Sequence, residues 1–209
     1  MQAQQDIMNR YKGCMEEIKK RTLVIKGFLQ RELSAGYLIT NTESVCLQIR
    51  KILELIALAS LVANKSEYEK HKKAIQNEWH AGRILKTLDK VNPDFYPCPT
   101  RQIIDPETNQ VVEVKAIPTG YLTRADFEEL YNKCGGILHA HNPFSENQQE
   151  IQEFWDSVEE WMTKIIVLLN HHQVQLVDER YQLWVLMKAE NDGDVHVWLF
   201  EREDSLKAI

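Results

Sequence analysis

The segment from Asn132 to Phe144, NKCGGILHAHNPF, gathers a lysine (Lys133), a thiol (Cys134), two glycines (Gly135 and Gly136) and two imidazoles (His139 and His141). Imidazole titrates near neutrality and is the side chain best suited to moving protons, whereas a lysine ammonium is a point charge for phosphate. In a helix, His139 follows Gly135 by four positions and shares its face, while His141 follows Cys134 by seven and joins the opposite, apolar stripe. The two histidines therefore look in different directions. A glycine inside a helix costs about 1 kcal/mol relative to alanine, which the close approach of another backbone would offset. His141 reads as a hydrogen-bonded core histidine, and His139 as a group that meets a second subunit or a substrate backbone. A metal centre of Cys134, His139 and His141, with His171 and His172 in reserve, is the competing arrangement. On one straight helix these ligands do not converge on the tetrahedron that zinc takes, so no metal and no other cofactor is expected.

Two charged residues stand where apolar ones are expected. Arg21 occupies the apolar stripe of the first helix, and Glu54 is embedded in KILELIALASLVA. A buried charge is costly unless paired. The plain solution pairs Arg50 with Glu54 at i,i+4 and turns the head of Arg21 to solvent. The sharper one has both reach a polar site between helices, which makes them supporting candidates. The phosphate-loop, dinucleotide-turn, nucleophile-elbow and HExxH signatures are missing.

The elements that must position these residues are legible from caps and periods. Thr40 with Glu43, Ser66 with Glu69, Thr123 with Asp126 and Ser145 with Gln148 have the capping-box spacing. Gly36, Asn64, Asn92-Pro93 and Asn142-Pro143 mark helix ends. Between them the spacing predicts five helices. The second, with Val45, Ile49, Ile52, Ile56, Ala59 and Ala63, is apolar nearly all round and belongs at the centre of a bundle. The third runs from Glu67 to Val91, and the fifth carries Ile151, Phe154, Trp161, Ile165 and Leu169 through to His172. Residues 101–117 and 181–202 alternate with period 2 and predict two hairpins. A two-residue turn at Asp192-Gly193 sets Met187 against Trp198 and Val185 against Phe200. Tyr181, Leu183, Val185, Met187, Trp198 and Phe200 then form one apolar face over the helices. The expected fold is α+β and predominantly α: a five-helix bundle with two antiparallel hairpins, as a single domain over 1–209.

The chain has 209 residues, is 44% apolar and 27% charged, and carries a formal net charge of -6. That balance excludes a disordered chain and argues against a non-specific DNA-coating protein. The four cysteines form no CxxC pair, and Cys14, Cys46 and Cys134 fall on apolar stripes, as buried thiols would. No stretch approaches the ~18–20 apolar residues of a membrane span, and MQAQQDIMNR lacks the core of a signal peptide. A cytoplasmic protein that does not enter membranes is expected.

A helical bundle whose late helix carries a polar residue, about five intervening positions and then His resembles the HEPN superfamily (higher eukaryotes and prokaryotes nucleotide-binding). The segment Lys133 to His139 has that spacing, with five residues between. The family's arginine is Lys133 here, and its usual polar neighbour is Cys134. The resemblance implies a prokaryotic defence or toxin–antitoxin protein, possible cleavage of single-stranded RNA without metal, and a homodimer with a composite site. His139 is then the proton-transfer residue and Lys133 the phosphate ligand, with Gly135 and Gly136 on the dimer face. A lysine lacks the planar fork that clamps two phosphate oxygens. The alternative is a non-catalytic helical scaffold that docks a protein partner, such as an antitoxin, on the hairpin aromatics Trp198 and Phe200 or beside His139. The acidic charge and the missing arginine favour that alternative, whereas the matching spacing and the two out-of-place charges favour the HEPN-like assignment, which is the expected one.

Overall fold

The computed structural model describes residues 2–64, 81–139, 148–189 and 192–202. Among them are five helices: α1 (Gln2–Leu29), α2 (Leu38–Ala63), α3 (Ala81–Val91), α4 (Arg124–Ile137) and α5 (Gln148–Leu169). Five strands complete the fold: β1 (Cys98–Ile104), β2 (Val111–Ala116), β3 (His171–Gln175), β4 (Tyr181–Leu186) and β5 (His196–Glu201). The fold is α+β and mostly helical, as expected. No helix among the described residues is long and apolar enough to cross a membrane.

The all-round apolar character of α2 is explained by its place. It packs against α1, α3, α4 and α5, and Val45, Ile49, Ile52, Leu53 and Ile56 are fully buried. The box at Thr123 is formed as its spacing requires: Asp126 N–H donates to Thr123 Oγ1 at 3.1 Å, and Thr123 N–H donates to Asp126 Oδ2 at 3.0 Å. The start of α2 lies earlier than expected, at Leu38, so Thr40 sits in the first turn, where its hydroxyl donates to Ala35 O at 2.8 Å. Ser66, Glu69, Ser145 and Asn142-Pro143, like the first half of the expected third helix, lie outside the described residues.

The strands correct two expectations. The hairpins are not separate: they join in one antiparallel sheet of order β2-β1-β3-β4-β5. The joining strand is β3, in residues expected to end the fifth helix. Helix α5 stops at Leu169, with a last bond from Asn170 N–H to Ile166 O, and Asn170 O then accepts from Met187 N–H at 2.9 Å. No glycine or proline marks that stop. The backbone turns because β1 and β4 offer ladders on both sides of His171–Gln175.

The second correction is the β4–β5 register. Trp184 opposes Trp198, Gln182 opposes Phe200 and Val185 opposes Val197. The connection is longer than two residues because α1 holds it: Lys19 Nζ donates to Gly193 O at 2.8 Å, and Val195 N–H donates to Glu16 Oε1 at 3.0 Å. The new pairing is displaced by an odd number of residues, so β5 turns over. Leu183, Val185, Val197 and Leu199 face the core with His172 and Val174, and Trp198 and Phe200 point the other way.

Candidate functional site

Lys133 lies within α4, whereas His139 stands two residues past the helix end at Ile137, so no single helix face carries both. Lys133 pairs with Glu129 at 2.7 Å and lies 5.5 Å from the Trp161 ring. With Gly136, Ile137, Glu150, Glu153, Phe154 and Ser157 it lines a groove of about 360 Å³ between α4 and α5. His139 is exposed just past the helix end, its N–H donating to Gly136 O at 3.2 Å. His141 lies outside the described residues. Among the described residues, no group of three or more His, Cys, Asp or Glu side chains is placed to hold a metal ion.

The neighbour at Gly135 is a side chain of the same protein. A Cβ there would stand 3.1 Å from Arg50 Nη1, reaching across from α2. Arg50 donates to Tyr131 Oη at 2.8 Å, stacks 4.3 Å over that ring and faces Glu54 at 3.5 Å. Glu54 also takes Lys51 at 2.8 Å, so its charge is met within α2. Arg21 stays on the other flank of α2: it pairs with Glu17 at 2.7 Å and donates to Gln48 Oε1 at 2.9 Å. Thus Glu54 is tied to α4 through Arg50, and Arg21 is not. Sequence spacing pairs Arg50 only with Glu54. Its reach to Gly135 could have been suspected from a glycine that leaves room for a long side chain.

Gly136 has nothing within 4 Å of its would-be Cβ. Gly136→Ala should therefore raise stability by about 0.5–1 kcal/mol through helix propensity and unfolded-state entropy. A rise in Tm of the purified variant checks this, and a fall would mean that the face is occupied.

Cys46 and Cys134 meet across α2 and α4. The hydrogen bond that the Cys46 thiol donates to Cys134, and then burial, push that thiol far above its ordinary range, so it stays protonated. A protonated, buried thiol is neither nucleophile nor metal ligand. All four cysteines are free thiols, and Cys98 alone is exposed.

The register brings together a second constellation, on the sheet face turned away from the core. Its rows are Thr100, His171, Leu186 and His196; then Cys98, Gln173, Trp184 and Trp198; then Gln175, Gln182 and Phe200. The Trp184 and Phe200 rings lie 4.6 Å apart, and His196 stacks on Trp198 at 5.5 Å. Trp184 Nε1–H donates to Gln182 Oε1 at 2.8 Å, so its polar edge is satisfied within the face. Trp198 is 42% exposed and Phe200 46%. None of these rows carries a Lys, Arg, Asp or Glu side chain, and the row beyond Gln182 and Phe200 holds Arg180 and Arg202. At the far end, Thr100 Oγ1 lies 2.6 Å from His171 Nδ1, and burial lowers the His171 pKa. His171 and Thr100 line a groove of about 370 Å³ beside Ile166 and Asn170. Their hydroxyl–imidazole contact resembles a nucleophile and base, but both residues are buried and, among the described residues, His171 Nε2 has no hydrogen-bond partner to orient the ring.

No protein-family model, no curated protein and no solved structure matches this chain.

Proposed function

We propose that the protein is a non-catalytic interaction module that docks a protein partner on the outer face of its sheet. The observation that carries this reading is the cluster of Trp184, Trp198 and Phe200: three aromatic rings, two of them substantially exposed, in sheet rows without a Lys, Arg, Asp or Glu. Large aromatics at the centre of an uncharged patch are the usual anchors of a protein interface. The nearest cations stand one row beyond the rings, Arg202 and an Arg180 already paired with Asp178 at 2.8 Å, and are few against the run of phosphates that a nucleic acid presents. The partner is therefore a protein surface that presents aliphatic side chains to the rings. The margins differ in sign, with Asp192 and Asp194 at one end of the rows and Arg180 and Arg202 at the other, which favours a partner whose rim carries basic groups at the first end and acidic groups at the second.

The test starts from wild-type protein and Trp198→Ala immobilised in parallel and exposed to extract of the source cells. Binding of the purified captured protein is then measured by calorimetry. Loss of the ring should weaken that binding by about 2 kcal/mol, close to thirty-fold, with Tm unchanged. Equal affinity for wild type and variant would overturn the reading.

A second reading, the HEPN-like endoribonuclease, is favoured by one observation. Arg50 brings a guanidinium to Gly135, one helical turn before His139, and so supplies the planar fork that Lys133 lacks. On that reading single-stranded RNA is cleaved with EDTA present, and His139→Ala loses about 100-fold or more. Lys133→Ala and Arg50→Lys fall with it, and Lys133→Arg retains activity. Cleavage with that pattern would replace the docking reading. Cleavage that His139→Ala leaves intact would count against both assignments of the site.

A further inference from the structure

The β1–β2 hairpin ends the sheet in an open edge. Strand β2 is terminal in the strand order and packs on β1. All of its residues are exposed except Val114, which is half-buried, and Val112 is 62% exposed. An uncovered edge of β-branched residues is a template for another strand.

Backbone geometry says which residues of β2 are free to pair. Ile117 N–H donates to Pro99 O at 2.8 Å, so Ile117 and Pro99 form a hydrogen-bonded pair of the antiparallel ladder. Such pairs alternate along the strands. Lys115 opposite Arg101 and Glu113 opposite Ile103 therefore also bond inward, to β1. Val114 and Ala116, opposite Gln102 and Thr100, turn their N–H and C=O groups outward. Glu113 and Lys115 lie on one face of the strand, joined at 3.0 Å and both about half exposed.

From this juxtaposition we infer that β2 pairs antiparallel with β2 of a second copy about a two-fold axis at Val114. Val114 then exchanges both backbone hydrogen bonds with its own counterpart. Glu113 stands opposite Lys115 of the second copy and Lys115 opposite its Glu113, at non-hydrogen-bonded positions where side chains approach most closely. The other symmetric registers fail. An axis at Glu113 or Lys115 sets that residue against its own counterpart at a non-hydrogen-bonded position, where like charges meet at closest approach. An axis at Val112 falls on the bulge between Ile103 and Ile104. An axis at Ala116 sets Val114 against Pro118, which has no N–H. Pairing at Val114 makes one ten-stranded sheet. It also leaves both aromatic patches on the same side, so a bivalent partner would gain avidity. The inference stands independently of what those patches dock.

Sedimentation velocity of the full chain at tens of micromolar tests it, with circular dichroism to confirm the fold of each variant. Wild type should sediment as a dimer. Val114→Pro should be a folded monomer, because the N–H it removes bonds nothing within its own chain. Glu113→Lys and Lys115→Glu should each weaken association at least about ten-fold by opposing like charges. The double reversal, and an equimolar mixture of the two single variants, should restore the dimer. A monomeric wild type overturns the proposal. So does a dimer indifferent to Val114→Pro, or single reversals that neither the double variant nor the mixture rescues.

Discussion

Acidification from pH 7 to pH 4 is expected to remove about 3 kcal/mol of stability through one residue, His172. Its ring is fully buried between α1 and the sheet. Leu169 O can only accept, so His172 Nδ1 carries the hydrogen and donates to it at 2.8 Å. Nε2 is then the acceptor for Tyr11 O–H, also at 2.8 Å. Both nitrogens are used by the neutral ring, and a proton on Nε2 would force the Tyr11 hydroxyl from donor to acceptor. Burial is the main reason that its pKa falls to about 4 from the ordinary 6.5, and His171 adds to the shift while the Leu169 contact opposes it. Between those values the unfolded chain holds the extra proton and the folded one does not. Stability therefore rises with pH across this window, is complete above about 6.5 and is lost as pH falls through about 4. At about 1.4 kcal/mol for each pH unit the loss approaches ~3 kcal/mol. Urea titrations at a series of pH values measure it directly. Tyr11→Phe should cost about 1–3 kcal/mol at neutral pH by orphaning Nε2. Combining Tyr11→Phe with His172→Leu should recover part of that loss and flatten the acid slope. An unchanged slope in the double variant would mean that another group titrates.

Phe95→Ala should cost about 3–5 kcal/mol, the usual consequence of emptying a buried aromatic site. Phe95 belongs to NPDFYPCP, the proline-rich link from α3 to β1, and its ring is fully buried. Arg124 stacks 5.1 Å from it, and Tyr96 meets it edge-on at 6.2 Å. The link is tied down on both sides of this ring. Asn92 Nδ2 donates to Asn64 Oδ1 at 2.8 Å and to Gln175 O at 2.9 Å, while Tyr96 O–H donates to Leu122 O at 2.9 Å. The ring is thus the apolar anchor that fixes where β1 enters the sheet, and hence where the open β2 edge projects. A shift of the chemical-denaturation midpoint measures the cost. A loss below 1 kcal/mol would show that the polar ties hold the link without the ring.

Several features of the protein were readable without the fold because their causes lie within a few residues. The Thr123–Asp126 box closes over three positions. The turn of the first hairpin rests on Asp105, which takes the N–H groups of Glu107 and Thr108. The central place of α2 follows from an apolar surface that has to be covered on every side. The pairing of Glu54 with Arg50 and Lys51 is equally local, being a matter of one helix face.

What tertiary structure decided were relations between elements. Strand β3 is invisible locally, since His171–Gln175 follows a helix with no breaker and becomes a strand only between two others. The β4–β5 register depends on Glu16 and Lys19 of α1, far away in sequence, which hold the connecting loop at Val195 and Gly193. A period of two shows that Trp198 and Phe200 share a face. It cannot show which face, because one odd shift of register turns the whole strand over. The same limit applies to α4. Spacing alone set Lys133 and His139 in one motif, but the helix that carries Lys133 ends at Ile137 and leaves His139 beyond it. The group that reaches Gly135 is Arg50, brought by a neighbouring helix whose position no local pattern contains.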